Sequence, residues 1–264
     1  MTSTILVTGG TGTLGGHVVP RLLDAGHRVR VLSRHDRADA DRADADRADA
    51  DGVEYVATDL LRPEGIDLAV EGADIVLHLA GGPKGDDEAT RNLAGAASRA
   101  GVRHLVYISV IGADRVPLGW FGTKRDAEQA VRTSGIPWTA LRAAQFHDLI
   151  LLMCRKMARL PVVPVPAGLR FQPVDARDVA DRLVQLTLGD PTGQAPDLAG
   201  PKVYEMGDLI RTYLQARDTR RLLVPVPLPG KAGRAYRAGD NLSLDGTAVL
   251  GERTWEDFLA ERLG

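Results

Sequence analysis

Apolar residues along this chain fall into two alternating patterns. Short continuous runs rich in β-branched residues, such as 5–7, are typical of strands buried on both faces. Longer segments with an apolar residue at every third or fourth position are typical of helices with one buried face. The predicted strands are 4–7, 28–32, 53–58, 73–79, 103–110 and 138–141, and the predicted helices are 14–25, 63–71, 87–100 and 122–134. This alternation predicts an α/β fold, a doubly wound parallel sheet with ligands at the carboxyl ends of its strands.

The pattern loosens after Arg142. It indicates helices at 146–160, 175–188, 206–216 and 255–263, strands near 170–172 and 222–226, and a proline-rich stretch at 161–166. We expect a dinucleotide-binding domain at 1–145, with 175–190 packing back on it. The segments 146–174 and 191–264 are expected to form a smaller C-terminal substrate lobe.

A glycine-rich turn follows the first predicted strand. Gly10, Gly12 and Gly15 have G-x-G-x-x-G spacing, and Gly9, Gly12 and Gly15 have G-x-x-G-x-x-G spacing. Between a strand and a helix, such glycines allow a tight turn, the approach of a pyrophosphate and close helix packing. The free N–H groups of the following helix then face the phosphates. We therefore predict a dinucleotide site in preference to a turn without function, with these cofactor-binding residues: Gly9, Gly10, Thr11, Gly12, Thr13, Leu14 and Gly15.

The second predicted strand ends at Ser33, Arg34 and His35, where an NAD-binding protein usually has an acidic residue for the ribose 2′-hydroxyl. A guanidinium can instead bind a 2′-phosphate through two charge-assisted hydrogen bonds. NADP(H) is therefore the predicted cofactor. The alternative is that Arg34 is an ordinary solvated arginine at a strand end.

Residues 36–51 contain three copies of the sequence Asp-Arg-Ala-Asp-Ala. A five-residue period matches neither a helix face nor a strand face, and alanine is the one apolar residue type in it, so the segment cannot build a core. We interpret it as a solvated low-complexity insertion.

The composition restricts the class of function. The formal net charge is −2, which gives no sign of a nucleic-acid-binding surface. The single cysteine, Cys154, excludes an internal disulfide and fits a reducing compartment. The sequence shows no apolar run long enough to span a membrane, no signal-like segment and no metal-ligand cluster. We expect a cytoplasmic protein with a small-molecule substrate and no membrane or nucleic-acid partner; the oligomeric state stays open, a homodimer included.

Several further motifs occur in a characteristic order. After the glycine turn come 78–81 (His-Leu-Ala-Gly), 109–114 (Ser-Val-Ile-Gly-Ala-Asp), 124–128 (Lys-Arg-Asp-Ala-Glu), 141–142 (Leu-Arg) and 173–180 (Pro-Val-Asp-Ala-Arg-Asp-Val-Ala). In this order they resemble the NmrA-like group of atypical short-chain dehydrogenases, over most of the chain and most strongly through residue 181. The resemblance implies a Rossmann domain whose cofactor contacts include the glycine turn and Arg34.

The resemblance also implies where the two ends of the cofactor bind. Asp59 and Leu60, after the third strand, would contact the adenine. Ala80, Gly81 and Gly82 follow the fourth strand and would lie beside the nicotinamide-side ribose, where small residues let a ring pass close to the backbone. The alternatives are a capping role for Asp59 and a flexible loop at 81–82.

Lys124 fits one half of the Tyr-x-x-x-Lys pair of short-chain dehydrogenases, in which the tyrosine donates a proton and the lysine holds the ribose. Trp120 occupies the tyrosine position, and an indole N–H cannot serve as a proton shuttle near neutral pH. This departure argues against a conventional ketone reductase, but hydride transfer to an acceptor that gains its proton elsewhere stays open. Lys124 is predicted to bind the ribose and to lie near a developing oxyanion; the alternative is a surface lysine.

Three further residues are weaker candidates. Ser109 would either bind a substrate oxygen or satisfy backbone at a strand end. His147 would either supply a proton or be an ordinary helix histidine, packed or exposed. Tyr107 is expected to fill the core rather than to replace the missing acid. The candidate catalytic residues are thus Lys124, Ser109 and His147.

Two functions are favoured. The first is an NADPH-dependent oxidoreductase that transfers hydride to a small quinone, enone or related carbonyl compound. This substrate would be flat and apolar if part of the helix Leu149 to Met157 lines its site together with Phe146 and Phe171. The second is a catalytically silent NADP(H)-binding sensor or regulator of the NmrA type, which Trp120 keeps open. An epimerase or dehydratase is less well supported because the tyrosine is missing and the C-terminal part is short.

Overall fold

The structure is a computed structural model that describes residues 2–34, 52–82 and 84–263. The insertion predicted at 36–51 lies outside the described residues. The chain forms two compact units. The first comprises Met1–Ser109, Thr123–Leu141 and Ala180–Ala195, and the second comprises Val110–Gly122, Arg142–Val179 and Pro196–Gly264. The segment Val110–Gly122 therefore groups with the second unit, whereas the sequence pattern assigned it to the dinucleotide-binding domain.

The first unit is built on a parallel sheet. Its strands are β1 (Thr4–Thr8), β2 (Arg28–Ser33), β3 (Val53–Ala57), β4 (Ile75–His78), β5 (His104–Val110), β6 (Trp138–Ala143) and the short β9 (Gly193–Gln194). The order is β6-β5-β4-β1-β2-β3, with β9 also pairing with β6. Its helices are α1 (Gly15–Asp24), α2 (Ile66–Val70), α3 (Asp86–Arg99), most of α4 (Gly119–Arg132) and most of α6 (Ala176–Leu188).

The strand order changes direction at β1. Ile5 pairs with Val29 of β2 on one side and with Ile75 of β4 on the other. From β1 the chain runs outward to β2 and β3 and then crosses back to β4, which makes the gap between β1 and β4 the topological switch point. Ligands of doubly wound sheets bind at the carboxyl ends of the strands at this point. Thr8 and His78 are the last residues of these two strands.

Burial explains why the central strands read as continuous apolar runs. All seven residues of β5 and all four of β4 are buried. One face packs against α2 and α3, where Leu6, Val76 and Leu105 share a cluster with Ile66 and Leu93. Strands covered on both faces need no polar alternation, so their apolar runs predicted the sheet correctly.

The second unit has its own core. Its remaining elements are α5 (His147–Met157), β7 (Val162–Pro166), β8 (Arg170–Phe171), β10 (Leu198–Ala199), β11 (Tyr204–Glu205), α7 (Met206–Ala216), β12 (Leu222–Val226), α8 (Gly230–Ala238), β13 (Val249–Leu250) and α9 (Trp255–Leu263). Trp255 is fully buried among Ile150, Leu209 and Phe258, and its indole N–H donates to the Leu209 carbonyl at 3.2 Å. The proline-rich stretch, which the pattern did not identify as a strand, is β7, and α8 was not predicted.

Candidate active site

Three glycines of the turn after β1 have no room for a side chain. Gly9 has φ +69°, and a Cβ there would lie 2.7 Å from the Ala80 nitrogen. A Cβ at Gly15 would lie 2.4 Å from the Gly10 Cα, and one at Gly10 would lie 2.8 Å from a methyl group of Val31. These approaches are shorter than real Cβ contacts, so the turn requires glycine at each position.

The turn presents backbone to solvent at the start of α1. The Gly12 N–H donates to the Gly9 carbonyl at 3.0 Å, which closes the turn, and Thr11, Gly12 and Thr13 are exposed while Leu14 is buried. The first N–H groups of a helix have no partner within the helix and favour an anion. The close packing of the glycines leaves backbone rather than side chains next to these donors, which fits the pyrophosphate of a dinucleotide.

Three predicted residues lie at the ends of β2 and β3. Arg34 follows β2, and its side chain is exposed. Asp59 follows β3, and its carboxylate accepts the Leu61 N–H at 3.1 Å, so it caps a turn whether or not it also contacts adenine. Leu60 is buried in the core, and its carbonyl accepts the Asn92 side-chain amide at 2.9 Å.

Lys124 is buried, which excludes the surface-lysine alternative. Its ammonium nitrogen lies 2.8 Å from Oδ2 of Asp86, and this ion pair has side-chain exposures of 8% and 2%. A Cβ at Gly81 would lie 2.9 Å from the same nitrogen. The structure thus brings Lys124 directly beside Gly81, as the predicted ribose contact requires, while Ala80 abuts Gly9 of the glycine turn.

Tyr107 completes the surroundings of the ammonium. The Lys124 ammonium donates to the Tyr107 hydroxyl at 3.3 Å, and that hydroxyl donates to Asp86 at 3.4 Å. Tyr107 is fully buried, and burial together with the charges of Asp86 and Glu128 raises its pKa well above the usual value. It fills the core as expected, but it also contacts the candidate catalytic lysine, a role that the sequence did not reveal.

A buried hydrogen-bonded chain links the switch point to Asp86. The Ala80 N–H donates to the Thr8 hydroxyl at 3.1 Å, and that hydroxyl lies 2.6 Å from Nδ1 of His78. On the other side of the ring, Nε2 lies 3.0 Å from the Thr90 hydroxyl, which donates to the Asp86 carbonyl at 2.6 Å.

The directions of these hydrogen bonds fix the tautomer and the protonation state of His78. Because the Thr90 hydroxyl uses its proton on the Asp86 carbonyl, it must accept from Nε2–H, and Nδ1 is left to accept from Thr8. Complete burial and the Lys124 charge lower the pKa of His78 to about 3. A neutral imidazole therefore ties the ends of β1 and β4 to the start of α3.

Ser109 lies two residues after Tyr107 on β5, so the two side chains point to the same face of the sheet. Ser109 is buried, and its hydroxyl has no hydrogen-bond partner among the described residues. Buried hydroxyls are normally paired, so this one is suited to a ligand oxygen.

His147 is a packed histidine, one of the alternatives that the sequence left open. It begins α5 in the second unit and has no exposed surface. Its ring centroid lies 5.8 Å from that of Trp255 and 5.2 Å from that of Phe258, and Nδ1 lies 3.7 Å from Asp175. A ring enclosed in this way does not meet solvent or an acceptor, so we do not retain His147 as the proton donor.

The described part of the chain contains neither a metal site nor a membrane-spanning helix. No group of His, Cys, Asp or Glu side chains there could hold a metal ion. None of its helices has the length and apolar character needed to cross a membrane. Cys154 is buried in α5, and burial raises the pKa of its thiol to about 12, so it is a packed thiol and not a nucleophile.

Sequence reasoning missed Asp86, the partner of Lys124. The loop 81–85 shows no periodicity, and an acidic residue at the start of a helix is usually explained by the helix dipole. The clue was the spacing: a histidine at the end of β4 and an acidic residue at the start of α3 lie on both sides of the predicted ribose contact.

The fold and this site define a nucleotide-binding Rossmann protein. Residues 9–187 match the NAD(P)H-binding protein family. Over 202 residues, the chain is 36% identical to a (4-alkanoyl-5-oxo-2,5-dihydrofuran-3-yl)methyl phosphate reductase of Streptomyces griseus, covering 75% of this chain and 68% of that protein. It is 33% identical to an NAD(P)H azoreductase of Xenophilus azovorans, with the same coverage of 75% and 68%.

Solved structures agree on the fold. The NADPH-dependent quinone oxidoreductase of Escherichia coli, complexed with NADPH, has a TM-score of 0.82 at 20% identity and covers 98% of this chain and 100% of its own. The triphenylmethane reductase of a Citrobacter species, complexed with NADP(H), has a TM-score of 0.78 at 21% identity, covering 99% and 100%.

The chain therefore belongs to the NAD(P)H-binding family of Rossmann proteins. This confirms the predicted fold and the binding of a nicotinamide dinucleotide, and it agrees with the resemblance to the NmrA-like group. The named relatives are reductases, which supports an NAD(P)H-dependent oxidoreductase.

Proposed function

We propose that this chain is an NADPH-dependent oxidoreductase that reduces small conjugated acceptors such as quinones and enones. The observation that carries the proposal is the position of Lys124, buried beside Gly81. Burial of an ammonium is unfavourable unless a counter-charge and hydrogen bonds accompany it, and Asp86 and Tyr107 supply both. This arrangement holds a cationic donor at the carboxyl edge of the sheet, where ligands bind.

Different residues bind different parts of the cofactor in this proposal. The backbone of 9–15 holds the pyrophosphate, and Arg34 binds the 2′-phosphate that distinguishes NADPH from NADH. Asp59 and Leu60 border the adenine, and the segment 80–82 borders the nicotinamide-side ribose together with Lys124. When bound, the cofactor supplies a hydride at its nicotinamide ring.

The ion pair determines what Lys124 does. An ammonium has three N–H donors, and Asp86 and Tyr107 accept two of them. In this proposal a ribose hydroxyl of the bound cofactor accepts the third. Because Asp86 balances the positive charge, Lys124 acts mainly as a positioned hydrogen-bond donor, and its stabilisation of an oxyanion is correspondingly weak.

The proton required by the reduced product comes from water in this proposal. Trp120 has no exchangeable acid group suited to neutral pH, and Tyr107 and His147 have no exposed surface. Acceptors that form a stabilised anion on reduction, such as a hydroquinone anion or an enolate, need no acid at the moment of hydride transfer. This requirement favours conjugated acceptors over simple ketones.

Ser109 is the proposed hydrogen-bond donor to the acceptor oxygen. Its unpartnered hydroxyl on β5 shares a face with Tyr107, whose own hydroxyl contacts Lys124. An oxygen that becomes negative during reduction is a better acceptor than the starting carbonyl, so the bond would strengthen as the reaction proceeds.

The relatives support the same class of acceptor. An azo bond, a quinone and the ring double bond of a 5-oxo-2,5-dihydrofuran are all conjugated and electron-poor. The second candidate function, a silent NADP(H) sensor, is favoured by one observation, Trp120 four residues before Lys124. Both functions share the cofactor site and differ in turnover.

Turnover tests the proposal. Purified protein is mixed with NADPH and a panel of quinones, enones and azo dyes, and NADPH absorbance is followed. We expect oxidation well above background with at least one conjugated acceptor and none with simple ketones. Saturable NADPH binding without turnover on any acceptor would favour the sensor instead.

Variants connect the activity to the site. Replacement of Lys124 by Met together with Asp86→Asn removes the donor without leaving a buried charge unpaired. We expect this double variant to fold and to lose most of its turnover. The control is Lys202→Ala, which removes a half-exposed lysine paired with Glu256 and is expected to leave turnover unchanged.

A further inference from the structure

A two-stranded parallel ribbon in the second unit exposes an apolar face. Val162 of β7 pairs with Leu222 of β12, and Pro164 pairs with Val224. All four side chains are exposed, Val162 by 47% and Leu222 by 63%, whereas Val163 and Val165 between them are buried in the core. The outward positions of a half-buried strand are normally polar, so an apolar outward face calls for an explanation.

Exposed cations flank the two strands of the ribbon along the chain. Arg155, Lys156 and Arg159 precede β7, Arg217, Arg220 and Arg221 precede β12, and Lys231, Arg234 and Arg237 follow β12. The Arg221 guanidinium donates to the Ala158 carbonyl at 3.1 Å, which joins the start of β12 to the end of α5. Segments 155–166 and 217–237 contain these nine basic residues and one acidic residue, Asp218, in a chain of net charge −2.

Prolines prevent extension of the ribbon by another strand. Pro164 and Pro166 in β7 and Pro225 in β12 have no N–H to donate. Edge strands with proline resist pairing with a further chain. A protein that adds a strand, a second copy of this chain included, is therefore a poor fit to the ribbon.

We propose that the ribbon face binds the surface of an anionic phospholipid bilayer. The apolar side chains enter the boundary between headgroups and acyl chains, and the flanking cations contact the lipid phosphates. The absence of an apolar run of spanning length does not bear on a peripheral contact. A search of the sequence for apolar runs detects only continuous segments. This face was not detected because it consists of two segments about sixty residues apart.

This proposal goes beyond the proposed function and does not depend on it. Vesicle binding is measured without NADPH or an acceptor, so a failure of turnover and a failure of membrane binding are distinguishable. If both proposals hold, membrane binding would bring the protein to the bilayer, where apolar acceptors concentrate.

Cosedimentation tests the contact. The full chain is mixed with vesicles of phosphatidylcholine containing about one third phosphatidylglycerol, and with vesicles of phosphatidylcholine alone. We expect binding to the anionic vesicles and little binding to the neutral ones. Binding should weaken strongly at about 1 M salt, where the Debye length is about 3 Å.

Two matched pairs of variants separate charge from apolar contact. Arg159→Gln with Arg220→Gln should weaken binding about twenty-five-fold, since each charge near the surface contributes about fivefold. Arg221 is left in place because it also binds backbone. The control, Arg28→Gln with Arg125→Gln, removes two exposed cations from the first unit and should leave binding nearly unchanged.

The apolar pair is Val162→Thr with Leu222→Thr, since threonine retains strand propensity. We expect at least a tenfold loss, and no loss for Leu68→Gln, which removes a leucine that is 75% exposed in α2. Absence of anionic-vesicle binding, equal binding to neutral vesicles, or equal losses in the control variants would overturn the proposal. So would light scattering that shows a dimer which the Val162→Thr, Leu222→Thr variant loses, or selective binding of the protein to nucleic acid.

Discussion

The ammonium nitrogen of Lys124 lies 2.8 Å from the Oδ2 oxygen of Asp86, and both side chains are almost completely buried. The pair joins the start of α3 to the first half of α4 beside Gly81. It accounts for the burial of a lysine that the sequence also allowed on the surface, and it places a hydrogen-bond donor next to the predicted ribose position.

Breaking this pair should destabilise the fold. Asp86→Asn leaves the Lys124 ammonium buried without a counter-charge, and we expect the free energy of unfolding to fall by about 3 to 5 kcal/mol. Adding Lys124→Met should recover most of the loss, because the uncompensated charge is then gone. Urea unfolding of both variants checks this; a double variant no more stable than Asp86→Asn alone would contradict the interpretation.

Gly9 should tolerate no side chain. In Gly9→Ala the new methyl group meets the Ala80 backbone at 2.7 Å and the residue must keep a φ of +69°. We expect a loss of at least about 2 kcal/mol and weaker cofactor binding, because the glycine turn must deform. The control is Gly95→Ala in α3, whose Cβ would have an ordinary 3.5 Å contact with Arg99 and should stabilise by up to about 1 kcal/mol. Equal effects of the two substitutions on thermal unfolding would argue against the steric account.

His78 should make the fold sensitive to acid. Its pKa is about 3 in the folded protein, against about 6.5 when unfolded. Between these values the unfolded chain binds a proton that the folded protein does not, so stability is complete above pH 6.5 and falls as the pH falls. The contribution of His78 to this loss is about 2 kcal/mol at pH 5.

The variant His78→Gln isolates that contribution from the titration of carboxylates. It should be less stable than wild type at pH 7.5, because the links to Thr8 and Thr90 are weakened, but its stability should change less between pH 7.5 and 5. Parallel stability profiles for the two proteins over this range would show that His78 is not the group responsible.

Cys154 should be inert in the native protein. The thiol is buried, and its pKa is raised to about 12, so almost no thiolate forms near neutral pH. A thiol reagent is expected to label the single cysteine only as fast as the protein opens, and labelling should become rapid in denaturant. Immediate labelling of native protein would contradict the packing described for α5.

The parts of the fold that the sequence predicted well depend on local signals. The glycine turn, the continuous apolar strands and α7 at Met206–Ala216 are each specified within a few neighbouring residues. The ribbon of β7 and β12 was only half predicted, because Pro161, Pro164 and Pro166 suggested a loop. The parallel partner that makes 162–166 a strand lies about sixty residues away.

In the candidate site, too, only the residues that belong to short local motifs could be predicted. Residues 9–15 and Lys124 were identified because their motifs are short and ordered. Asp86 and the contact of Tyr107 with Lys124 exist only because three separate elements converge. His147 was a candidate because it follows β6, yet Trp255 and Phe258, more than 100 residues later, enclose it. Side-chain burial of this kind has no local signal.

The most direct test of the central claim is a calorimetric titration of the protein with NADPH and with NADH, repeated on Arg34→Asp. We predict one saturable site with preference for NADPH, and a loss of about tenfold to a hundredfold in NADPH affinity in the variant, with little change for NADH. The absence of saturation with either nucleotide would contradict the account as a whole, and an equal loss for both nucleotides would remove the role given to Arg34.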